Sequence, residues 1–233
     1  MMENVNVYRE EKDLKKKYLL LPVAAVLLAA AAVGGTLAAG YAQSENVLQK
    51  VSEKSLGISI FSGDTDKGTS AKANVGVVPG ATSRLKYQVG NDQKNGYDLY
   101  AKVTLYFDWA SDALSEDEEK NHYVSLLLEN QTFPRVESYD KQKKMGDWIV
   151  AYCDSREAVL YYTKPLSYGE RASFLDAVSF SSAMGNRYAD AQFLLDMQVD
   201  AVQTDNSREA IAAEWGVYPE ITDGILTGIS ETR

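Results

Sequence analysis

YDLYAKVTLYFDW, residues 97–109, decides the fold class. Its odd positions, Tyr97, Leu99, Ala101, Val103, Leu105, Phe107 and Trp109, are all apolar or aromatic. Its even positions, Asp98, Tyr100, Lys102, Thr104, Tyr106 and Asp108, are mixed and mostly polar. Side chains on a strand point alternately to opposite faces, so this pattern gives one long strand with one buried face. ADAQFLLDMQVDA, residues 189–201, repeats the pattern: Phe193, Leu195, Met197 and Val199 fall on one face, and Gln192, Asp196, Gln198 and Asp200 on the other. Antiparallel sheets with one solvated face produce such alternation.

Working outward, shorter strand candidates appear at Leu56–Phe61, Val75–Val78 and Leu85–Val89, with a brief one at Val178–Phe180. Pro79-Gly80 reads as a turn, and residues 90–96, which include Gly90-Asn91-Asp92 and Asn95-Gly96, as a loop. Trp148–Cys153 and Ala158–Thr163, separated by Asp154-Ser155-Arg156-Glu157, read as a hairpin. Helix signals are few. Asn206 or Ser207 caps a predicted helix over Arg208–Trp215, which stops at Gly216. Ser115–Leu128 begins acidic and turns apolar, and reads as a short helix leading into a strand or as mostly loop. Lys141–Met145 reads as an exposed basic loop. Ile221–Arg233 leaves strand and tail both open. Strands and helices do not alternate in the βαβ manner, so a parallel sheet is not expected. The expected fold is all-β: a two-sheet antiparallel, jelly-roll-like sandwich with one or two short helices, preceded by an N-terminal hydrophobic signal helix.

That N-terminal segment is YLLLPVAAVLLAAAAVGGTLAAGYA, residues 18–42, after Lys15-Lys16-Lys17. As a helix at about 1.5 Å per residue it would span roughly 30 Å, the hydrocarbon thickness of a bilayer. The lysines hold its start in the cytoplasm and direct the rest outside. Small residues close it, which suits a signal peptidase, while its length exceeds the usual signal-peptide core and suits a retained anchor. Both readings place residues 43–233 outside the cell.

The chain carries a formal charge of −9. Residues 1–42 hold five basic and four acidic side chains, so the remainder carries about −10. An acidic balance of that size argues against nucleic acid or anionic lipid as a partner. Cys153 is the one cysteine, so no intramolecular disulfide forms; it follows a strand-like run and reads as a buried, inert thiol. The fifteen tyrosines suit half-buried, pleated surfaces.

A search for chemistry finds no specific signature. His122 is the single histidine, which rules out a two-histidine zinc site, and no HExxH or G-x-S-x-G motif surrounds it. The acidic run near Asp112, Glu116, Asp117, Glu118 and Glu119 could in principle attract calcium. Without the D-x-D-x-D-G spacing it reads as a solvated loop, and Asp64-Thr65-Asp66 reads likewise. No catalytic, cofactor or metal residues are assigned, and the expectation is a protein that is not an enzyme.

Gly34-Gly35-Thr36-Leu37-Ala38 and Tyr41, continued by Ser44-Glu45-Asn46 and Leu56-Gly57-Ile58-Ser59-Ile60, resemble the junction and first strand of the TasA/camelysin family of Gram-positive bacteria. Asp147-Trp148-Ile149, Tyr161–Leu166, Gly169-Glu170, Met184-Gly185-Asn186, Ala201-Val202-Gln203 and Trp215-Gly216-Val217 resemble the BsaA-type, alternate-signal exported members of this group. The resemblance covers most of residues 30–217. It implies processing by a SipW-type signal peptidase that recognises Gly34, Gly35, Thr36, Ala38 and Ala39. Gly40 precedes Tyr41 where the family often places the aromatic directly, so cleavage is expected between residues 38 and 42. The implied organisation is a signal or transmembrane segment over 1–38, a donor strand or linker over 39–54 bearing Tyr41, Val47, Leu48 and Val51, and a sandwich over 55–233. The implied function is a secreted subunit of a biofilm-matrix fibre. Each subunit would donate its freed N-terminal strand to the next, in a head-to-tail homopolymer at the cell surface. Residues 39–54 could equally be a flexible stalk or the first strand of their own domain. The competing readings are a membrane-retained binding or accessory protein of the fibre and a camelysin-like surface metallopeptidase.

Overall fold

The computed structural model describes residues 56–94, 96–110, 123–185, 188 and 190–231. In chain order the strands are β1 (Ile58–Ser62), β2 (Thr65–Asp66), β3 (Ser70–Gly76), β4 (Thr82–Asn91), β5 (Leu99–Trp109), β6 (Val124–Leu128), β7 (Gln131–Thr132), β8 (Lys143–Met145), β9 (Trp148–Cys153), β10 (Glu157–Tyr162), β11 (Arg171–Phe180) and β12 (Gln192–Gln203). Helix α1 (Ser207–Trp215) and a hairpin of β13 (Tyr218–Thr222) and β14 (Ile225–Ser230) follow.

The strands form two six-stranded sheets, β2-β1-β4-β11-β6-β7 and β3-β12-β5-β10-β9-β8. All strand pairs in both are antiparallel. The chain changes sheet on passing from β2 to β3, β3 to β4, β4 to β5, β5 to β6, β7 to β8, β10 to β11 and β11 to β12, which gives the jelly-roll-like sandwich expected from the sequence.

The two segments with the clearest alternation are neighbours at the centre of the second sheet. β5 and β12 pair from Leu99↔Gln203 to Trp109↔Phe193, odd position against odd. Their shared inward face puts Val103, Leu105, Phe193, Leu195 and Met197 at 0–1 % exposure. Each such side chain contributes about 1.5–3 kcal/mol by leaving water. Opposite them lie Ile60, Val89, Phe174, Leu175 and Val178 of the first sheet. The sheets are also tied by polar bonds. The Trp148 indole N–H on β9 donates to the Ser173 carbonyl on β11 at 2.8 Å, with the ring 5.1 Å from Tyr162 and 6.4 Å from Phe174.

The predicted hairpin at Asp154 is present. The Asp154 carboxylate accepts the backbone N–H groups of Arg156 and Glu157 at 2.7 and 2.8 Å and the Tyr152 hydroxyl at 2.9 Å. Pro79-Gly80 also turns as expected, closed by Ala81 N–H to the Val78 carbonyl. Helix α1 ends at Gly216, whose φ of +68 is the left-handed stop that glycine allows. Asn206 occupies the N-cap position with φ 53 but makes no side-chain capping bond.

Two elements differ from expectation, and a third, left open by the sequence, is settled. Val178–Phe180 is the end of the ten-residue strand β11. Lys141–Met145 is not a free loop: a 3₁₀ turn over Tyr139–Lys141 leads into β8, which pairs with β9 and buries Met145. Ile221–Ser230 belongs to an ordered hairpin, stabilised by a second apolar cluster outside the main core. Tyr100, Ile149, Tyr161 and Val202 on the outer face of the second sheet meet Ile211, Leu226 and Ile229. Tyr100 donates its hydroxyl to the Gly224 carbonyl at 2.7 Å. Gln142 acts as a substitute strand, its side-chain amide bonding both the carbonyl and the N–H of Ile229 at 3.0 Å.

Candidate assembly interface

A sandwich exposes its sheet edges, and a long unpaired edge is a template for another strand. Among the described residues, three of the four edges are blunted by brevity: β2 and β7 have two residues each and β8 has three. The fourth, β3, has seven, and among the described residues it pairs only with β12.

The direction of its backbone groups follows from the flanking bonds. Val199 N–H donates to the Thr69 carbonyl, and Val77 N–H to the Ala191 carbonyl, each at 2.9 Å. Hydrogen-bonded pairs recur every second residue of an antiparallel ladder, so Ala71, Ala73 and Val75 direct their N–H and C=O groups at β12. Ser70, Lys72, Asn74 and Gly76 therefore direct theirs away from it, towards the open side. The residues whose backbone faces β12 send side chains into the core, and Ala71 and Val75 are buried there. Lys72 is the one charged residue on this edge; its ammonium pairs with Asp196 across the sheet at 3.1 Å.

Gly34, Gly35, Thr36, Ala38 and Ala39, expected to be recognised by a signal peptidase, lie outside the described residues. So do Tyr41, Val47, Leu48 and Val51, expected on a donor strand or linker, together with His122 and the acidic run over 112–119. Among the described residues no helix is long and apolar enough to cross a membrane, and no group of three His, Cys, Asp or Glu side chains could hold a metal ion. Cys153 is buried, as expected, with burial and the Asp154 carboxylate pushing its thiol up to about 11. It borders a cavity of about 170 Å³ lined by Phe107, Leu126, Phe133 and Phe193.

Sequence reasoning missed β3 as an edge. It saw Val75–Val78 as the strand and had no partner assignment from which an open side could be read. No protein-family model matches the chain, and neither the curated proteins nor the solved structures contain a match to it.

Proposed function

We propose that the chain is a secreted structural subunit of an extracellular biofilm-matrix fibre. A SipW-type peptidase would release it near Ala38, and subunits would join by donating residues 39–54 to a neighbour. The observation that supports this best is the β3 edge, where four alternate residues turn their backbone donors and acceptors outward. An extended segment bearing Tyr41, Val47, Leu48 and Val51 has the composition to pair along such an edge. A contact between one subunit's N-terminal segment and the next subunit's edge is heterologous, so it propagates as a filament.

Purified residues 39–233 are expected to form filaments visible by electron microscopy. Asn74→Pro removes one outward N–H and leaves the bonds to β12 in place, since proline is tolerated on an edge strand. It is expected to abolish filaments while leaving the circular dichroism spectrum unchanged. Filaments that form equally from Asn74→Pro, or from a chain starting at Ser55, refute the proposal. The length of the apolar stretch favours a second reading, a membrane-retained surface protein. Intact mass decides between them: loss of residues 1–38 to 1–42 supports the subunit, and an intact N-terminus supports the anchor.

A further inference from the structure

The outer face of the second sheet is covered over only part of its length. At the Leu99 end of β5, α1 and the β13–β14 hairpin bury it. At the Trp109 end it is bare and carries a cleft of about 510 Å³, within the roughly 300–1,000 Å³ typical of small-ligand sites. The strand registers order its side chains into two rows. Lys72, Asp196, Tyr106 and Glu157 lie side by side on β3, β12, β5 and β10. Asn74, Leu194 and Asp108 form the next row, and Arg156 from the β9–β10 turn closes the cleft.

Three properties of this surface narrow what it can bind. First, Tyr106 and Leu194 are diagonal neighbours at 43 and 37 % exposure, an apolar platform whose neighbours in these two rows are polar. Second, the charges alternate in sign: Lys72 and Arg156 are interleaved with Asp108, Asp196 and Glu157. A ligand of either net charge meets like charge, whereas a neutral ligand carrying both donors and acceptors satisfies both kinds of group. Third, Oδ2 of Asp196 pairs with Lys72 at 3.1 Å, but its Oδ1 is shielded from water and has no hydrogen-bond partner among the described residues. An unpaired buried acceptor is costly, and a small turn about the soft Cβ–Cγ bond offers it to a donor in the cleft. Beside it, burial first, then the carboxylates of Glu157, Asp200 and Asp196, push the Tyr106 hydroxyl up, so it stays protonated and able to donate.

We propose that this cleft binds a neutral polysaccharide, with a hexose ring stacked on Tyr106 and Leu194 and its hydroxyls shared among Asp196, Lys72, Asn74 and Arg156. The aromatic ring offers its face to the ring's C–H edge, and the mixed rim supplies both halves of each hydroxyl's hydrogen bonding. The site does not depend on fibre assembly; a monomer presents it equally.

The test titrates the full-length chain, in a zwitterionic and sugar-free detergent, with cellohexaose, maltohexaose and N-acetylchitohexaose by calorimetry. At least one hexasaccharide is expected to bind. Tyr106→Ala is expected to weaken it at least about tenfold, and Tyr106→Phe, which keeps the ring, to retain most of the affinity. Tyr168→Ala, at an exposed tyrosine near the Leu99 end, is expected to change nothing. Absence of binding to all three overturns the proposal. So does unchanged affinity in Tyr106→Ala with a native circular dichroism spectrum.

Discussion

Replacing Trp148 by phenylalanine isolates the tie between the two sheets. Trp148 is 2 % exposed, and its indole N–H donates to the Ser173 carbonyl at 2.8 Å. Phenylalanine keeps an aromatic ring beside Tyr162 and Phe174 but has no donor. The half-buried carbonyl then loses its partner, which costs about 1–3 kcal/mol. The smaller ring also leaves a void between Tyr162 and Phe174, worth about a further 1–2 kcal/mol where the site collapses only in part. The expected loss is therefore about 2–5 kcal/mol, a large share of the 5–15 kcal/mol that holds an ordinary domain folded. Urea unfolding followed by far-ultraviolet circular dichroism measures it. With a slope of about 1–3 kcal/mol per molar, the midpoint should fall by more than about 0.6 M at unchanged slope. A midpoint within about 0.2 M of the parent would show that the indole bond does not hold the sheets together.

Gly57→Ala is expected to cost several kcal/mol, about 2–4, because φ is +57 there and an added Cβ would lie 2.2 Å from that of Gln93; thermal unfolding reads it. Asp154 is held below the usual carboxylate range: burial pushes it up, but the N–H groups of Arg156 and Glu157 and the Tyr152 hydroxyl outweigh this. A carboxylate depressed in the fold stabilises it above the unfolded pKa near 3.8 and ceases to as pH falls through the folded value. Asp154→Asn should therefore be less stable than the parent at pH 7, with the gap closing below about pH 4; a gap that does not narrow in acid denaturation curves counts against that account. Gln142→Ala is expected to speed hydrogen exchange at the Ile229 amide at least about tenfold with little change in the main core, as exchange followed by mass spectrometry can show.

The fold was legible where a strand obeys period two with one dry face, and β5 and β12 do so across their whole pairing. β11 was largely missed because its register with β4 slips on both sides of Leu175. Its buried residues therefore fall at Ala172, Phe174, Leu175, Ala177, Val178 and Phe180, a spacing that the two-residue period of a regular strand does not match. β8 has two exposed lysines and one buried methionine, too little for a pattern; its strand state comes from pairing with β9. The β13–β14 hairpin was ambiguous because it is ordered by the second cluster and by Gln142, both remote in sequence. The candidate interface was hidden for a related reason. An edge is defined by the neighbour a strand lacks, and the Tyr106 platform by a register across four strands.

The unequal lengths of the sheet edges give this molecule a valence. Two-residue and three-residue edges hold too few backbone bonds to retain a guest strand, so among the described residues the two large sheets leave one edge of useful length, β3. Under the proposed strand donation, a particle that receives one strand on β3 and gives one N-terminal segment would add in single file and would not branch. Any mesh made from it must be cross-linked by something other than its sheets.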